Sequence, residues 1–234
     1  MTKDAFLEGQ VLLIDKPLGW TSFQAVNKIK WAIKRKFSLK KIKIGHAGTL
    51  DPLATGLLLI CTGKFTKNIA QLQGAEKEYT GTITLGATTP SYDLETEVDA
   101  LYPIIHITKE SIDRAASSFV GEIEQRPPIY SALKKDGKRL YEFARAGQDI
   151  TIKKRKVNIT AFEITHVNLP DIQFRISCGK GTYIRSLAHD FGITLSSGGH
   201  LSALRRTKIG DYNVNKAMDP NAFADILLQN TNIP

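Results

Sequence analysis

Between Gly45 and Gly56 the chain reads Gly45-His46-Ala47-Gly48-Thr49-Leu50-Asp51-Pro52-Leu53-Ala54-Thr55-Gly56, and it runs on at once into Leu57-Leu58-Leu59-Ile60-Cys61. Three glycines and a proline in twelve residues argue against a regular element, because glycine opens positive φ while proline fixes φ and removes a donor. The stretch predicts a shaped loop. The five apolar residues that follow, bounded by Gly56 and Gly63, suit a short buried strand better than a helix. The loop carries one carboxylate, Asp51. It reads either as a turn capped by its own acid or as a catalytic group presented over a hydrophobic strand.

Charge favours a polyanionic partner. From Lys16 through Leu50 there are nine Lys or Arg and no Asp or Glu, so this stretch alone matches the whole formal charge of +9 and the remaining residues sum to zero. A positive field beside a possible catalytic loop points to nucleic acid, against the plainer alternative of a solvated helix face. The chain has 234 residues, enough for one large core or two modest ones, and no repeat or low-complexity linker marks a boundary; a single domain over 1–234 is expected. Apolar runs of about five residues are far too short to span a membrane. The first ten residues are too polar for a signal peptide, so a cytoplasmic location is expected. Cys61 and Cys178 belong to no metal spacing and read as buried thiols, and the five histidines are scattered. No metal is expected.

Periodicity sketches the elements. Gln10–Asp15 reads as a strand stopped by the Lys16-Pro17-Leu18-Gly19 turn. Thr21 and Gln24 have capping-box spacing, and Phe23, Val26, Lys30 and Ile33 continue as a basic amphipathic helix to about Lys36, its charges outward. A basic linker, Phe37–Lys43, leads into the glycine loop. Lys64–Ala70 reads as a short helix, and Lys77–Leu85 alternates as a half-buried strand. Gly86–Glu97 is a polar loop. Thr108–Val120 is a capped helix closed by Gly121. Arg126–Ala132 must be extended, because the second proline pushes the residue before it out of the α region.

Val157–Ala161 and Ile172–Ile176 alternate as a hairpin-like pair joined by a polar loop with Pro170. Cys178-Gly179-Lys180-Gly181-Thr182-Tyr183-Ile184-Arg185 then passes from strand through glycines into a helix striped by Ile184, Leu187, Ala188 and Phe191, ending at Gly192. Leu201–Arg206 reads as a strand and Pro220–Leu228 as a final helix.

Taken together, these residues suggest a family. Gly48–Gly56 closely resembles the catalytic motif of bacterial TruB-type tRNA pseudouridine synthases, which isomerise uridine 55 in the T loop of tRNA. Lys77-Glu78-Tyr79, Gln125–Lys134, Gly181–Ala188 and Leu204-Arg205-Arg206 resemble the family's later motifs, in the family's order. The resemblance covers roughly Val11–Gly210. It implies an α+β fold, the pseudouridine synthase fold, with a mixed, mainly antiparallel sheet flanked by helices and loops. It implies an isomerase with no cofactor, acting as a monomer on the T arm of tRNA by base flipping.

The reaction fits such residues. The N1 glycosidic bond breaks, the uracil turns, and a bond to C5 forms, with no redox change. An ionised carboxylate is needed, as nucleophile or as stabiliser of the electron-poor sugar, and the residues leave attack on the base or proton abstraction at the ribose equally open. By resemblance Asp51 is that carboxylate, Arg185 the cation that keeps it charged, and Tyr79 a stacking face for the uracil. Tyr183 and Leu204 line the pocket, and His46 and Lys67 complete the substrate-binding set. Two departures stand out. Few residues follow Gly210, so the carboxy-terminal PUA domain common in the family is not expected, and Lys28–Lys43 could take over its contacts. The loop Thr88–Asp93 also differs from the family's Thr-Asp-Thr-rich form.

Two other readings compete. A non-catalytic RNA-binding module or tRNA-folding chaperone would use Gly45-His46-Ala47-Gly48 as a GxxG loop, but that explains nothing after residue 60. An N-glycoside hydrolase would also use an Asp near the ribose, and would release free base.

Overall fold

The computed structural model describes residues 1–131, 133–135, 137–148 and 150–229. Ala132 of the Gln125–Lys134 motif, Asp136, Asp149 and residues 230–234 lie outside the described residues. In chain order the elements are α1 (Lys3–Glu8), β1 (Val11–Lys16), α2 (Ser22–Lys36), β2 (Ile44–His46), β3 (Ala54–Thr62), a 3₁₀ turn (Gly63–Asn68), α3 (Ile69–Gly74), β4 (Lys77–Leu85), β5 (Ala87–Thr88) and β6 (Ala100–Leu101). There follow α4 (Lys109–Ser118), β7 (Gly121–Gln125), β8 (Lys134–Lys135), β9 (Lys138–Arg139), α5 (Leu140–Arg145), β10 (Arg155–Asn168), β11 (Asp171–Cys178), α6 (Ile184–Thr194), β12 (Gly199–Ile209), β13 (Tyr212–Asn213), a second 3₁₀ turn (Val214–Lys216) and α7 (Pro220–Gln229). Apart from the separate pairs β5–β6 and β8–β9, the strands form a mixed, mainly antiparallel sheet flanked by helices, the α+β class expected.

Two compact units share the chain. The first is Met1–Tyr79 with Leu204–Pro234. Its strand order is β1-β3-β12-β4. β1 lies antiparallel to β3 from Val11↔Cys61 to Lys16↔Gly56. The other edge of β3 is divided: β12 pairs with its start in parallel, Leu204↔Ala54 to Arg206↔Gly56, and β2 with its end, Ile44↔Thr62 to His46↔Ile60. The apolar run is buried on both faces, which is why it does not alternate with polar residues. Leu58 and Ile60 join a core with Ala25, Ile29 and Ile33 of α2 and Phe223 of α7, while Leu57 and Leu59 join another with Ala47, Ile209 and Val214. Each such Leu or Ile adds roughly 1.5–3 kcal/mol of burial, so β3 is the anchor of this unit.

β3 begins earlier than the apolar run suggests. Gly56 is a strand residue with φ 102°, and a Cβ there would lie 2.3 Å from the Arg206 carbonyl oxygen. Glycine here permits close approach of β12, and the loop proper shrinks to Ala47–Leu53. α2 carries the expected Thr21–Gln24 capping box and ends at Lys36. Its stripe differs in phase. Phe23 is exposed, because Ser22 turns inward and the buried face continues through Ala25, Val26 and Ile29.

The second unit is Thr80–Ala203. Its order is β12-β4-β11-β10-β7, with β10 antiparallel to both neighbours. The β10–β11 hairpin is longer than expected: only Leu169 and Pro170, joined by a cis peptide, connect Asn168 to Asp171. Phe162 and Ile164 keep alternating opposite Ile176 and Phe174, so the supposed loop is strand. Phe119, Phe162, Phe174 and Phe191 cluster with ring centroids 5.5–6.3 Å apart in four pairs. α4 starts at a Thr108 capping box. α6 runs through Gly192 to Thr194, because that glycine serves packing: its Cβ would sit 2.3 Å from the Gly199 nitrogen. The loop after β4 is polar in composition but buried, with Thr89, Ser91 and Asp93 nearly inaccessible.

Candidate active site

In the first unit the loop that carries Asp51 is tied down along its backbone. Arg206 donates from Nη2 to the Gly48 carbonyl (3.0 Å) and from Nε to the Leu57 carbonyl (2.8 Å). Ser22 Oγ accepts from the Leu50 N–H (2.8 Å) and donates to the Leu50 carbonyl (3.0 Å). The Asp51 carbonyl accepts from the Ala54 N–H (3.1 Å), and the Pro52 carbonyl from the Gly19 N–H (2.9 Å). Lys16 Nζ donates to the Trp20 carbonyl (2.6 Å), the Pro17 carbonyl (2.9 Å) and, more distantly, the Pro52 carbonyl (3.4 Å). A loop with this many backbone partners holds the Asp51 Cα still. Asp51 as a whole residue is half-buried.

Two buried cations flank this loop, Lys16 at 0% and Arg206 at 1% exposure. Burial lowers the Lys16 pKa from 10.5 to about 8; attraction to Asp51 opposes the shift and repulsion from Arg206 adds to it. The attraction is mutual, so Lys16 is a counter-charge to Asp51 inside the fold. The expected positive field therefore loses its first member: Lys16 spends its charge internally. Its inward direction was legible, since Leu12, Ile14 and Lys16 share one face of β1.

The other expected residues of this unit are placed around the loop. Leu204 pairs with Ala54, and its carbonyl accepts from Thr55 Oγ1 at 3.4 Å. Arg205 beside it is held by both carboxylate oxygens of Asp15, at 3.0 and 2.7 Å. Tyr79 is buried on β4. His46 is half-buried on β2, and burial lowers its pKa below 6.5, opposed by a hydrogen bond with the Gly48 backbone and reinforced by Arg206. Lys67 is not brought to Asp51: it is exposed on the 3₁₀ turn after the far end of β3.

In the second unit Arg185 opens α6 and is 3% exposed. Its Nη2 donates to the Tyr130 carbonyl (2.9 Å) and Nη1 to the Ser91 carbonyl (3.2 Å), while Nε lies 3.6 Å from Asp93 Oδ2. The Gly86–Glu97 loop, read as merely polar, is thus what orients this arginine. Tyr183 caps α6, and its backbone N–H and carbonyl are both bound by the Gln125 side chain, at 2.8 and 3.0 Å. Arg155 sits 4.8 Å from the Tyr183 ring centroid. Sequence reasoning missed Lys16, Ser22, Asp93 and Arg206 as supports of the site residues. Among the described residues no group of three or more His, Cys, Asp or Glu is placed to hold a metal.

Residues 34–184 match the TruB family pseudouridylate synthase N-terminal domain, and residues 185–232 the tRNA pseudouridylate synthase B C-terminal domain. The chain belongs to the TruB family. TruB-family membership makes it a pseudouridylate synthase, an isomerase. A tRNA pseudouridine synthase B of Flavobacterium johnsoniae is 64% identical over 97% of this chain and 100% of its own length. One from Phocaeicola vulgatus is 54% identical over 96% of this chain and 95% of its own. Among solved structures, a Cbf5-Nop10-Gar1 complex matches with a TM-score of 0.67 and 30% identity, covering 91% of this chain and 52% of the matched one. An H/ACA RNP bound to a substrate RNA containing 2′-deoxyuridine matches with a TM-score of 0.69 and 27% identity, over 98% and 57%. The chain spans about half the length of these solved chains. The matched N-terminal domain includes Gly48–Gly56, the pinned loop and the opening of β3.

Proposed function

We propose that the chain converts uridine 55 in the T loop of tRNA to pseudouridine, with Asp51 as the catalytic carboxylate. The names of relatives that align over 96–97% of the chain support a tRNA substrate. One observation carries the chemistry: a single carboxylate on a loop whose backbone is bound at Gly48, Leu50, Asp51 and Pro52, beside a buried amine. Preorganised charge of this kind lowers a barrier without reorganisation during reaction.

The target uridine leaves its stack, at a cost of a few kcal/mol, and stacks on Tyr79, which offsets ~1–3 kcal/mol. Tyr183 and Leu204 are substrate-binding residues, and Arg185 is a catalytic cation that acts in addition to the Lys16 counter-charge. The bond from C1′ to N1 breaks and one from C1′ to C5 forms; the proton lost from C5 is balanced by one gained at N1. Two routes begin at Asp51, addition of the carboxylate and removal of a ribose proton, and both need it ionised. His46 contacts RNA around the flipped nucleotide.

Incubation with unmodified tRNA, without metal or cofactor, yields pseudouridine at position 55. Asp51→Asn abolishes turnover while affinity stays within about tenfold, because phosphate contacts dominate binding. Released uracil would instead indicate a hydrolase, and tight binding without a modified nucleotide a binding module. Full turnover by Asp51→Asn would remove Asp51 from its role.

A further inference from the structure

The first unit holds a lysine-lined groove that the pinned loop does not use. A cavity of about 720 Å³ opens among Lys30 and Lys34 of α2, Lys40, Lys41 and Lys43 of the following linker, and Lys64 and Lys67 of the 3₁₀ turn. Lys40, Lys41, Lys43, Lys64 and Lys67 are exposed. Glu8 offsets one charge, through an ion pair to Lys64 at 2.9 Å. Lys30 and Lys34 also border a second hollow of about 540 Å³, shared with Trp31 and Arg35. Trp31 is 45% exposed, with the Lys28 and Arg35 side chains 5.3 and 5.2 Å from its ring centroid. So many ammonium groups around an open groove, with one carboxylate paired among them, suit a run of phosphates.

Its place in the fold says which phosphates. Ser22, at the start of α2, bonds to Leu50 beside Asp51, whereas the groove sits at the other end of the helix. From Ser22 to Lys34 the helix rises about 18 Å. At roughly 2.8 Å per step along an A-form RNA duplex, this is about six base-pair steps. β3 carries the chain in the same sense, from Ala54 next to the loop to Gly63 at the groove.

We infer that this groove binds the phosphate backbone of duplex stem about six or more base-pair steps from the flipped uridine. The inference rests on the uridine-isomerising reading above. It makes the groove a second contact that the RNA reaches only when its stem is long enough, and it gives Lys67 a binding role away from the base.

Two hairpins with the same target loop test it, one with a stem of about three base pairs and one of about twelve. The probe variant is Lys34→Gln/Lys40→Gln/Lys41→Gln/Lys43→Gln. On the long hairpin its KM rises, kcat is unchanged, and the log–log salt slope of binding flattens by about three to four. On the short hairpin both constants match the unaltered protein. Equal KM losses on both hairpins would overturn the inference, since the groove would then serve the target loop; no loss on either would leave a solvated lysine face and overturn it as well. If the unaltered protein turns over neither RNA, the isomerase reading fails, and the binding of the two hairpins still tests the groove.

Discussion

Ser22→Ala isolates the link between the fold and Asp51. Ser22 is 3% exposed, and its hydroxyl satisfies both the N–H and the carbonyl of Leu50, whose own side chain is buried. Without the hydroxyl, two buried backbone groups lose their partner, each at a cost of about 1–3 kcal/mol. The pair comes to roughly 2–6 kcal/mol. For a chain of this size that lowers Tm by roughly 4–24 °C.

The catalytic effect is expected to be larger than the loss of stability alone explains. Asp51 is the next residue, and a shift of about 1 Å in a reacting group costs ~100-fold in rate. We expect kcat to fall roughly 10- to 100-fold with RNA affinity nearly unchanged. Thr21→Ala is the control, because Thr21 Oγ1 caps α2 through the Gln24 N–H (3.1 Å) and is exposed. That change costs about 1 kcal/mol. It leaves kcat intact. Differential scanning calorimetry and single-turnover assays well below both Tm values decide the matter. A Ser22→Ala protein with lowered Tm and full kcat would refute the claim that this pin positions Asp51, as would an equal kcat loss in Thr21→Ala.

Three further outcomes are expected. Gly56→Ala forces φ 102° on alanine and drives its Cβ onto the Arg206 backbone, so it destabilises by about 3 kcal/mol or more, read from urea unfolding. Lys16→Met changes the pH dependence of stability: the folded-state pKa lies below the unfolded value, so the cost of burying the ammonium is present below pH 8 and disappears as pH rises from about 8 to 10.5. The unaltered protein should therefore gain roughly 3 kcal/mol relative to Lys16→Met across that window, and a constant Tm difference between pH 7 and 10.5 would exclude it. Burial raises the Cys61 thiol to about 11, so Cys61 should resist alkylation in the native protein at pH 8 and react once it is unfolded, as peptide mass spectrometry would show.

Where one local rule governed, the sequence was readable. The Thr21–Gln24 box, the buried strand after the glycine loop and the helix after Tyr183 all appear as expected. Misreadings arose where a distant partner decided. Phe23 faces solvent because Ser22 is taken by Leu50. Gly56 is strand because β12 comes close. Residues 162–168 are strand because Phe162 and Ile164 find Ile176 and Phe174 across the hairpin. In the site, the motif residues stood out by type and spacing, whereas their supports did not: Lys16 counted as one more basic residue and Asp93 as part of a polar loop.

The sequence by itself determined which groups carry chemistry. An acid among glycines, two tyrosines, an arginine after a Gly-rich turn and a one-sided set of lysines belong to the chain whatever its fold, and together they mark the family. Only the tertiary structure decided which of those charges are used inside the fold and which face outward. Lys16 and Arg206 are buried on carbonyls around the Asp51 loop, while Lys40, Lys41 and Lys43 line an open groove. The physical reason is that composition assigns every lysine the same charge, whereas desolvation and hydrogen bonding depend on partners that are distant in sequence: Lys16 and Pro52 are 36 positions apart, and Gly48 and Arg206 are 158 apart.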